Sequence, residues 1–135
     1  MNQMPPRSCF LDSLKRCNES PEFISAFYKR FLSSSEDIRY LFRNTDFARQ
    51  EMMLRDSLAL IADATEGDTW GLIHLRERAR SHSRAHLNIE PRFYELWLDA
   101  CIDTAEAHDP QWSPDIEQAW RLILGYGIKE MTRYY

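Results

Sequence analysis

Apolar and aromatic residues recur at helical spacing along almost the whole chain, and this periodicity constrains the fold most. Phe23, Phe27 and Phe31 lie four residues apart, which places their rings on one face of a helix, with Tyr28 beside them. Only four of the 135 residues are glycines, so few turn signals remain for a many-stranded β fold. The pattern predicts an all-α protein of about seven helices.

Short breaks with capping residues divide the chain into these helices. The second helix is predicted to start at Ser20-Pro21, where a capping hydroxyl precedes a proline at the first helical position. The other predicted elements are a first helix over about Ser8–Cys17, a short turn of helix carrying Ile38, Leu41 and Phe42, a long helix over Phe47–Ala64, an arginine-rich helix from Trp70 to about Ala85, a helix opened by Glu90-Pro91 and a last helix opened by Ser113-Pro114.

Length, charge and cysteine content limit the class of protein. A chain of 135 residues is long enough for one domain with a sizeable core, so residues 1–135 are expected to form a single domain. The formal net charge of −4 lacks the excess of positive charge that is typical of nucleic-acid-binding proteins. We expect a cytoplasmic protein that does not span a membrane, because there is no apolar run of about 20 residues and no leader pattern. The three cysteines form no CxxC pair, which argues against a disulfide framework.

His82 is the residue with the strongest chemical signal. It is predicted to share one helix face with Leu75 and Ala79, while the arginines of this helix point away. An imidazole of this kind, with Tyr28, Phe42 and Gln50 far upstream, suits an iron porphyrin held on one side and left open on the other.

The imidazole needs an acceptor for its second ring nitrogen, and the carbonyl of Arg78 one turn earlier can serve. Two other interpretations stay open. His82 alone could be a partly exposed residue at a helix boundary. His82 and His86, four residues apart, could also bind zinc, although there is no HExxH pattern.

The order of several segments resembles one known family. The chain resembles the globins, specifically the bacterial single-domain globins and the globin domain of flavohaemoglobins, over nearly its whole length. The segments that carry the resemblance are Ala26–Phe31, Tyr40–Phe42, Gln50–Leu54, Ala79–His86 and Pro91–Tyr94.

This resemblance implies a globin-like fold around a pocket for haem b (iron protoporphyrin IX), and it implies a role for each matching residue. His82 would be the proximal iron ligand, Phe42 would stack on the porphyrin, and the haem would be held non-covalently because no CxxCH motif occurs. The other residues expected at the haem are His86, Ile89, Tyr94 and Trp97, and those expected at the distal ligand pocket are Phe27, Tyr28, Gln50, Met53 and Leu54.

The distal register has an alternative. Gln50 followed by Leu54 four residues later keeps the family pattern, whereas a slip of one helical turn would put Met53 in place of Gln50. On the proximal side the chain departs from the family. Arg78 stands where a leucine commonly precedes the proximal histidine by four residues, and Tyr94 matches a family tyrosine without an evident late glutamate partner. A less anionic proximal ligand weakens the case for peroxidase-like chemistry.

These observations predict a haem protein that reversibly binds oxygen, NO or CO, rather than a self-sufficient enzyme. One alternative is a nitric oxide dioxygenase that depends on a separate reductase, because the sequence has no GxGxxG fingerprint. Another is a haem-based sensor, or an interaction domain that has kept the fold without the haem.

Overall fold

The computed structural model describes residues 4–135, which form seven α-helices and, within that range, no strand. The helices are α1 (Pro6–Asn18), α2 (Phe23–Ser33), α3 (Glu36–Leu41), α4 (Phe47–Ala64), α5 (Thr69–His82), α6 (Arg92–His108) and α7 (Pro114–Arg133). The predicted all-α class is confirmed. None of the helices in the described range combines the length and apolarity needed to cross a membrane.

Side-chain caps at the helix starts explain why several boundaries could be predicted. Asp68 Oδ2 accepts the Gly71 N–H at 2.9 Å before α5, and Ser113 Oγ accepts the Ile116 N–H at 3.3 Å before α7. Each cap satisfies a backbone donor that has no partner within its own helix. Helix α4, which also starts after a capping aspartate, begins and ends at the predicted residues.

Helix α2 begins later than predicted, at Phe23 rather than at Ser20-Pro21. The Phe23 N–H donates to the Ser20 carbonyl at 3.3 Å, which closes a tight turn. Ser20 Oγ receives the Glu22 N–H at 3.4 Å inside this turn. The hydroxyl and the proline therefore start a turn that leads into the helix.

Helix α5 ends at His82, about three residues before the predicted end near Ala85. The chain turns back after the helix, and the backbone N–H groups of Leu87 and Ile89 donate to the carbonyls of Ser81 and His82 at 3.1 and 2.9 Å. These bonds satisfy carbonyls that the end of a helix leaves open. His82 is consequently the last residue of the helix.

Buried aromatic residues fill the contact between α1, α2 and α7. Phe10 of α1 and Phe23 of α2 both meet the Trp120 indole edge-on, with ring centroids 4.7 and 6.4 Å apart. Such pairs add about 0.5–1.5 kcal/mol each beyond the burial of their area. Helix α2 also packs on α6, whereas α4 and α5 pack on each other and on α7. This arrangement leaves a cavity on the side of α7 that faces α4 and α5.

A buried polar network joins α1 to the residues that follow α6. The carboxylate of Asp109 accepts the Ser13 hydroxyl at 2.6 Å and two N–H groups of Arg16 at 2.7 and 2.9 Å. Ser13 Oγ in turn accepts the indole N–H of Trp120 at 2.9 Å. Four side chains from three parts of the chain thus satisfy one another where water is excluded.

All three cysteines are free thiols, and two of them are buried. Cys17 donates to the Ala105 carbonyl across the contact of α1 and α6, with a sulfur–oxygen distance of 3.7 Å. Burial raises the pKa of Cys17 to about 12, and burial raises the pKa of Cys101 well above its usual value. Cys9 is only half-buried.

Gly127 allows α7 to approach α4 closely. A Cβ atom at this position would lie 2.9 Å from Ile61 Cδ1 and 3.0 Å from Ile61 Cγ1. Both distances are shorter than carbon atoms accept without displacement. A residue without a side chain is therefore needed here for this packing, and Gly127 also lines the cavity.

We expect Gly127→Ala to lower the free energy of unfolding by about 1–3 kcal/mol, because Ile61 must leave its position. Gly125→Ala is the matched control, since a Cβ at Gly125 would meet nothing within 4 Å and alanine is the better helix former. Urea unfolding of both variants measures the difference. Equal stabilities for the two variants would contradict the proposed contact.

Candidate functional site

A cavity with a mostly apolar wall lies between α4, α5, α6 and α7, and residues of α2 and α3 close its far side. The space open to the centres of water-sized molecules is about 190 Å³. A single buried water needs roughly 10–15 Å³ by this measure. No acidic side chain occurs among the described residues that line the wall. The cavity is thus suited to an organic group of substantial size.

Most of the residues predicted for the site line this cavity. The residues predicted at the haem that line the wall are Phe42, His82, Ile89, Tyr94 and Trp97, and those predicted at the distal ligand pocket are Tyr28, Gln50, Met53 and Leu54. The fold therefore brings together side chains from most of its helices and from the turn before α6.

The His82 ring is fixed at the end of α5 by a backbone hydrogen bond. Its Nδ1 lies 2.8 Å from the Arg78 carbonyl, the acceptor predicted from the sequence. A carbonyl can only accept, so Nδ1 carries the proton and Nε2 keeps its lone pair. Nε2 has no hydrogen-bond partner within the described part of the chain. The lone pair of Nε2 is therefore available to coordinate a metal.

The environment of His82 also favours the neutral imidazole, the form that can coordinate a metal. Burial lowers the pKa of His82, the hydrogen bond to the Arg78 carbonyl opposes that shift, and the Arg78 guanidinium lowers the pKa further. The net direction is downward. Imidazole binds metals in its neutral form, so the environment favours the form that can coordinate.

Tyr28 is packed firmly on the α2 side of the cavity, with its hydroxyl near Gln50. Its ring meets those of Phe42 and Phe47 at centroid distances of 6.1 and 5.6 Å. The hydroxyl donates to the backbone carbonyl of Gln50 at 3.4 Å, which is long for this kind of bond. Burial raises the pKa of Tyr28 to about 12, so the hydroxyl keeps its proton at neutral pH.

The two candidates for the distal register both lie at the wall. Gln50 and Met53 are three residues apart on α4, and both line the cavity. Leu54 on the same helix is 6% exposed, whereas Met53 is 43% exposed. Met53 therefore lies at the rim, whereas the backbone carbonyl of Gln50 contacts the Tyr28 hydroxyl.

Comparison with known proteins identifies the family. No protein-family model and no curated protein matches the chain. It is similar to a crystal structure of a Pseudomonas aeruginosa PAO1 protein described as structurally highly homologous to a human hemoglobin. The two share 35% sequence identity with a TM-score of 0.91, over 97% of this chain and 98% of the other. The chain belongs to the globin family.

Two predicted residues do not line the cavity of this globin. The Phe27 ring packs between Phe31 and Trp97, at centroid distances of 5.4 and 6.3 Å, because the cavity side of α2 is taken by Tyr28. His86 is exposed, since α5 ends at His82 and the turn that follows carries it away from the helix face. In residues 4–135 no group of three or more His, Cys, Asp or Glu side chains could hold a metal ion.

Three polar residues at the wall of the globin's cavity are not among the predicted site residues, namely Ser57, Arg78 and Ser81. Arg78, predicted to point outward with the other arginines, lines the cavity and donates from Nε to Ser57 Oγ at 2.8 Å. Arg78 precedes His82 by four residues, which places both on one helix face. Ser57 likewise lies three residues after Leu54 on α4. Helical spacing alone would have found Arg78 and Ser57.

Proposed function

We propose that this globin binds one b-type haem with His82 as the iron ligand and a diatomic gas on the opposite face. One observation carries the proposal: in the wall of an apolar cavity, His82 has Nδ1 bonded to a carbonyl and Nε2 left free, and Tyr28 and Gln50 line the same cavity. Oxygen, NO and CO share the small size and the electron-accepting character that such a site selects.

The residues at the wall fit this group. Phe42 and Trp97 offer flat apolar surface to a porphyrin, and the imidazole of His82 is the donor that ferrous iron prefers. When bound, the haem would supply an iron that can take a diatomic ligand. The protein holds the ring out of water and orients the two polar groups on the distal side.

Tyr28 and Gln50 determine how a gas is held. The 3.4 Å hydrogen bond from the Tyr28 hydroxyl to the Gln50 carbonyl is long and therefore weak. The hydroxyl can thus break this bond and turn towards a ligand in the cavity. The rings of Phe42 and Phe47 hold the tyrosine ring while its hydroxyl rotates. A donor held in this way stabilises oxygen, which draws electron density, more than it stabilises CO.

The direct test is titration of the purified protein with haem, followed by absorption spectra of the reduced form with and without CO. We expect uptake of one haem per chain and a band that shifts when CO is added. A protein that takes up no haem even after reconstitution would contradict the proposal and favour an interaction domain. Steady consumption of NO with a supplied reductase would indicate a dioxygenase instead of a carrier.

Tyr28→Phe is expected to speed oxygen dissociation about 5- to 150-fold, which corresponds to the loss of one hydrogen bond of about 1–3 kcal/mol. Stopped-flow displacement of oxygen by CO measures this rate. Tyr40→Phe is the matched control, because Tyr40 is 64% exposed and does not line the cavity. An unchanged rate in Tyr28→Phe would refute the distal role.

A further inference from the structure

Arg78 places a positive charge in the wall of the cavity, one helical turn before His82. Its guanidinium donates from Nε to Ser57 Oγ at 2.8 Å, which holds it between α5 and α4. Its own carbonyl receives the His82 ring at 2.8 Å. One residue thus fixes the imidazole through its backbone and brings a cation to the same cavity through its side chain.

No opposite charge neutralises this cation in the described part of the structure. Ser57 is a neutral partner, none of the ion pairs among residues 4–135 includes Arg78, and no acidic residue lines the cavity wall. Arg78 is also half-buried, whereas its neighbour Arg80 is exposed to solvent. Water therefore screens the charge of Arg80 much more than that of Arg78.

The field of Arg78 acts on the group that His82 would hold. Arg78 and His82 lie one helical turn apart on α5 and both line the cavity, so the guanidinium charge lies in the same part of the wall as the imidazole. Ferric haem carries one more positive charge than ferrous haem, and a nearby like charge disfavours the more positive state.

We propose that Arg78 is a positioning residue that biases haem held by His82 towards the ferrous state, the state that takes up oxygen. This inference rests on the proposed haem binding. It concerns the one-electron equilibrium between ferric and ferrous iron, in which the electron comes from an external reductant and no covalent bond of the protein changes.

The expected size follows from the effect of charges on titrating groups. A nearby like charge that water does not fully screen commonly changes such an equilibrium by a factor of ten or more. We expect removal of the Arg78 charge to shift the ferric/ferrous ratio about tenfold towards ferric, or ~59 mV for a one-electron couple.

The test is the reduction potential of the haem-reconstituted protein, measured by spectroelectrochemistry at neutral pH. Arg78→Gln removes the charge but can still bond to Ser57 Oγ, and Arg78→Met removes both. Arg78→Lys keeps the charge and is expected to keep most of the wild-type potential. Arg80→Gln removes an exposed charge from the same helix and is expected to change the potential by less than a third of the shift in Arg78→Gln.

The outcomes separate the two proposals. A wild-type protein without haem uptake overturns both of them. Haem uptake with equal potentials in wild type, Arg78→Gln and Arg78→Met overturns only the role of Arg78. Repeating the series with haem dimethyl ester tests whether a porphyrin carboxylate neutralises the guanidinium. A shift seen only with the ester overturns the proposed bias for natural haem, and a shift seen with both haems supports it.

Discussion

Replacement of His82 by alanine is expected to lower haem affinity by more than about 100-fold, because even residues that only support a metal ligand commonly change affinity by 10–100-fold. The cavity wall would remain apolar, so residual haem would bind without the imidazole nitrogen of His82. Its ferrous CO spectrum should then lack the imidazole signature. Haem transfer to an acceptor protein measures the affinity, and absorption spectra report the coordination.

Two controls make this result specific for His82. His74→Ala removes an imidazole of the same helix that does not line the cavity and should leave haem binding unchanged. The His74 ring lies tilted against Trp70, with a centroid distance of 4.2 Å. Free imidazole added to His82→Ala should restore the spectrum, because the cavity then holds a substitute donor. A variant that keeps wild-type affinity and spectrum would exclude His82 as the ligand.

Asp109→Asn is expected to lower the free energy of unfolding by about 3–5 kcal/mol, the cost of breaking a buried ion pair by removing one charge. The Asp109 side chain is 0% exposed and that of Arg16 only 20% exposed, so Arg16 would keep a poorly solvated charge. The Ser13 hydroxyl would also lose its carboxylate acceptor, which holds Ser13 Oγ where it accepts the indole N–H of Trp120. Asp103→Asn is the control, since Asp103 is exposed on α6 and should change stability by less than about 0.5 kcal/mol.

The contribution of Asp109 should depend on pH in a definite direction. Burial alone would raise the pKa of Asp109, but hydrogen bonds from Arg16, Ser13 and the Gln111 N–H outweigh burial and lower it. A carboxyl whose pKa is lowered by folding stabilises the native state above its unfolded pKa of about 3.9, and this stabilisation is lost as the pH falls through the lower native pKa.

Urea unfolding of wild type and Asp109→Asn at a series of pH values measures this dependence. The difference between the two should be constant near neutral pH and should shrink below about pH 4. A difference that stays constant down to pH 2 would show that the charge of Asp109 does not stabilise the fold.

Local signals determined which parts of the fold could be predicted. The bounds of α4 were predictable because its capping aspartate lies directly before it and its apolar spacing lies within it. The end of α5 was not, because the chain that returns through Leu87 and Ile89 supplies the hydrogen bonds that end it. The network of Ser13 and Asp109 joins residues 96 positions apart, which no local pattern reveals.

The same distinction applies to the site. The bond from His82 to the Arg78 carbonyl followed from four-residue spacing along one helix and is confirmed. The Arg78 side chain was assigned to solvent because it is charged, although its spacing from His82 places it on the inner face. The partner that keeps it there, Ser57, comes from another helix, so the contact depends on how α4 and α5 pack.

The buried thiols give this globin internal probes of local opening. Cys17 and Cys101 are protonated at neutral pH and shielded from solvent, so an alkylating reagent reaches them only after the surrounding helices separate. Cys17 lies where α1 meets α6, and its labelling rate would follow the separation of these two helices. Half-exposed Cys9 provides the reference for reagent access on the same molecule, without any engineered label.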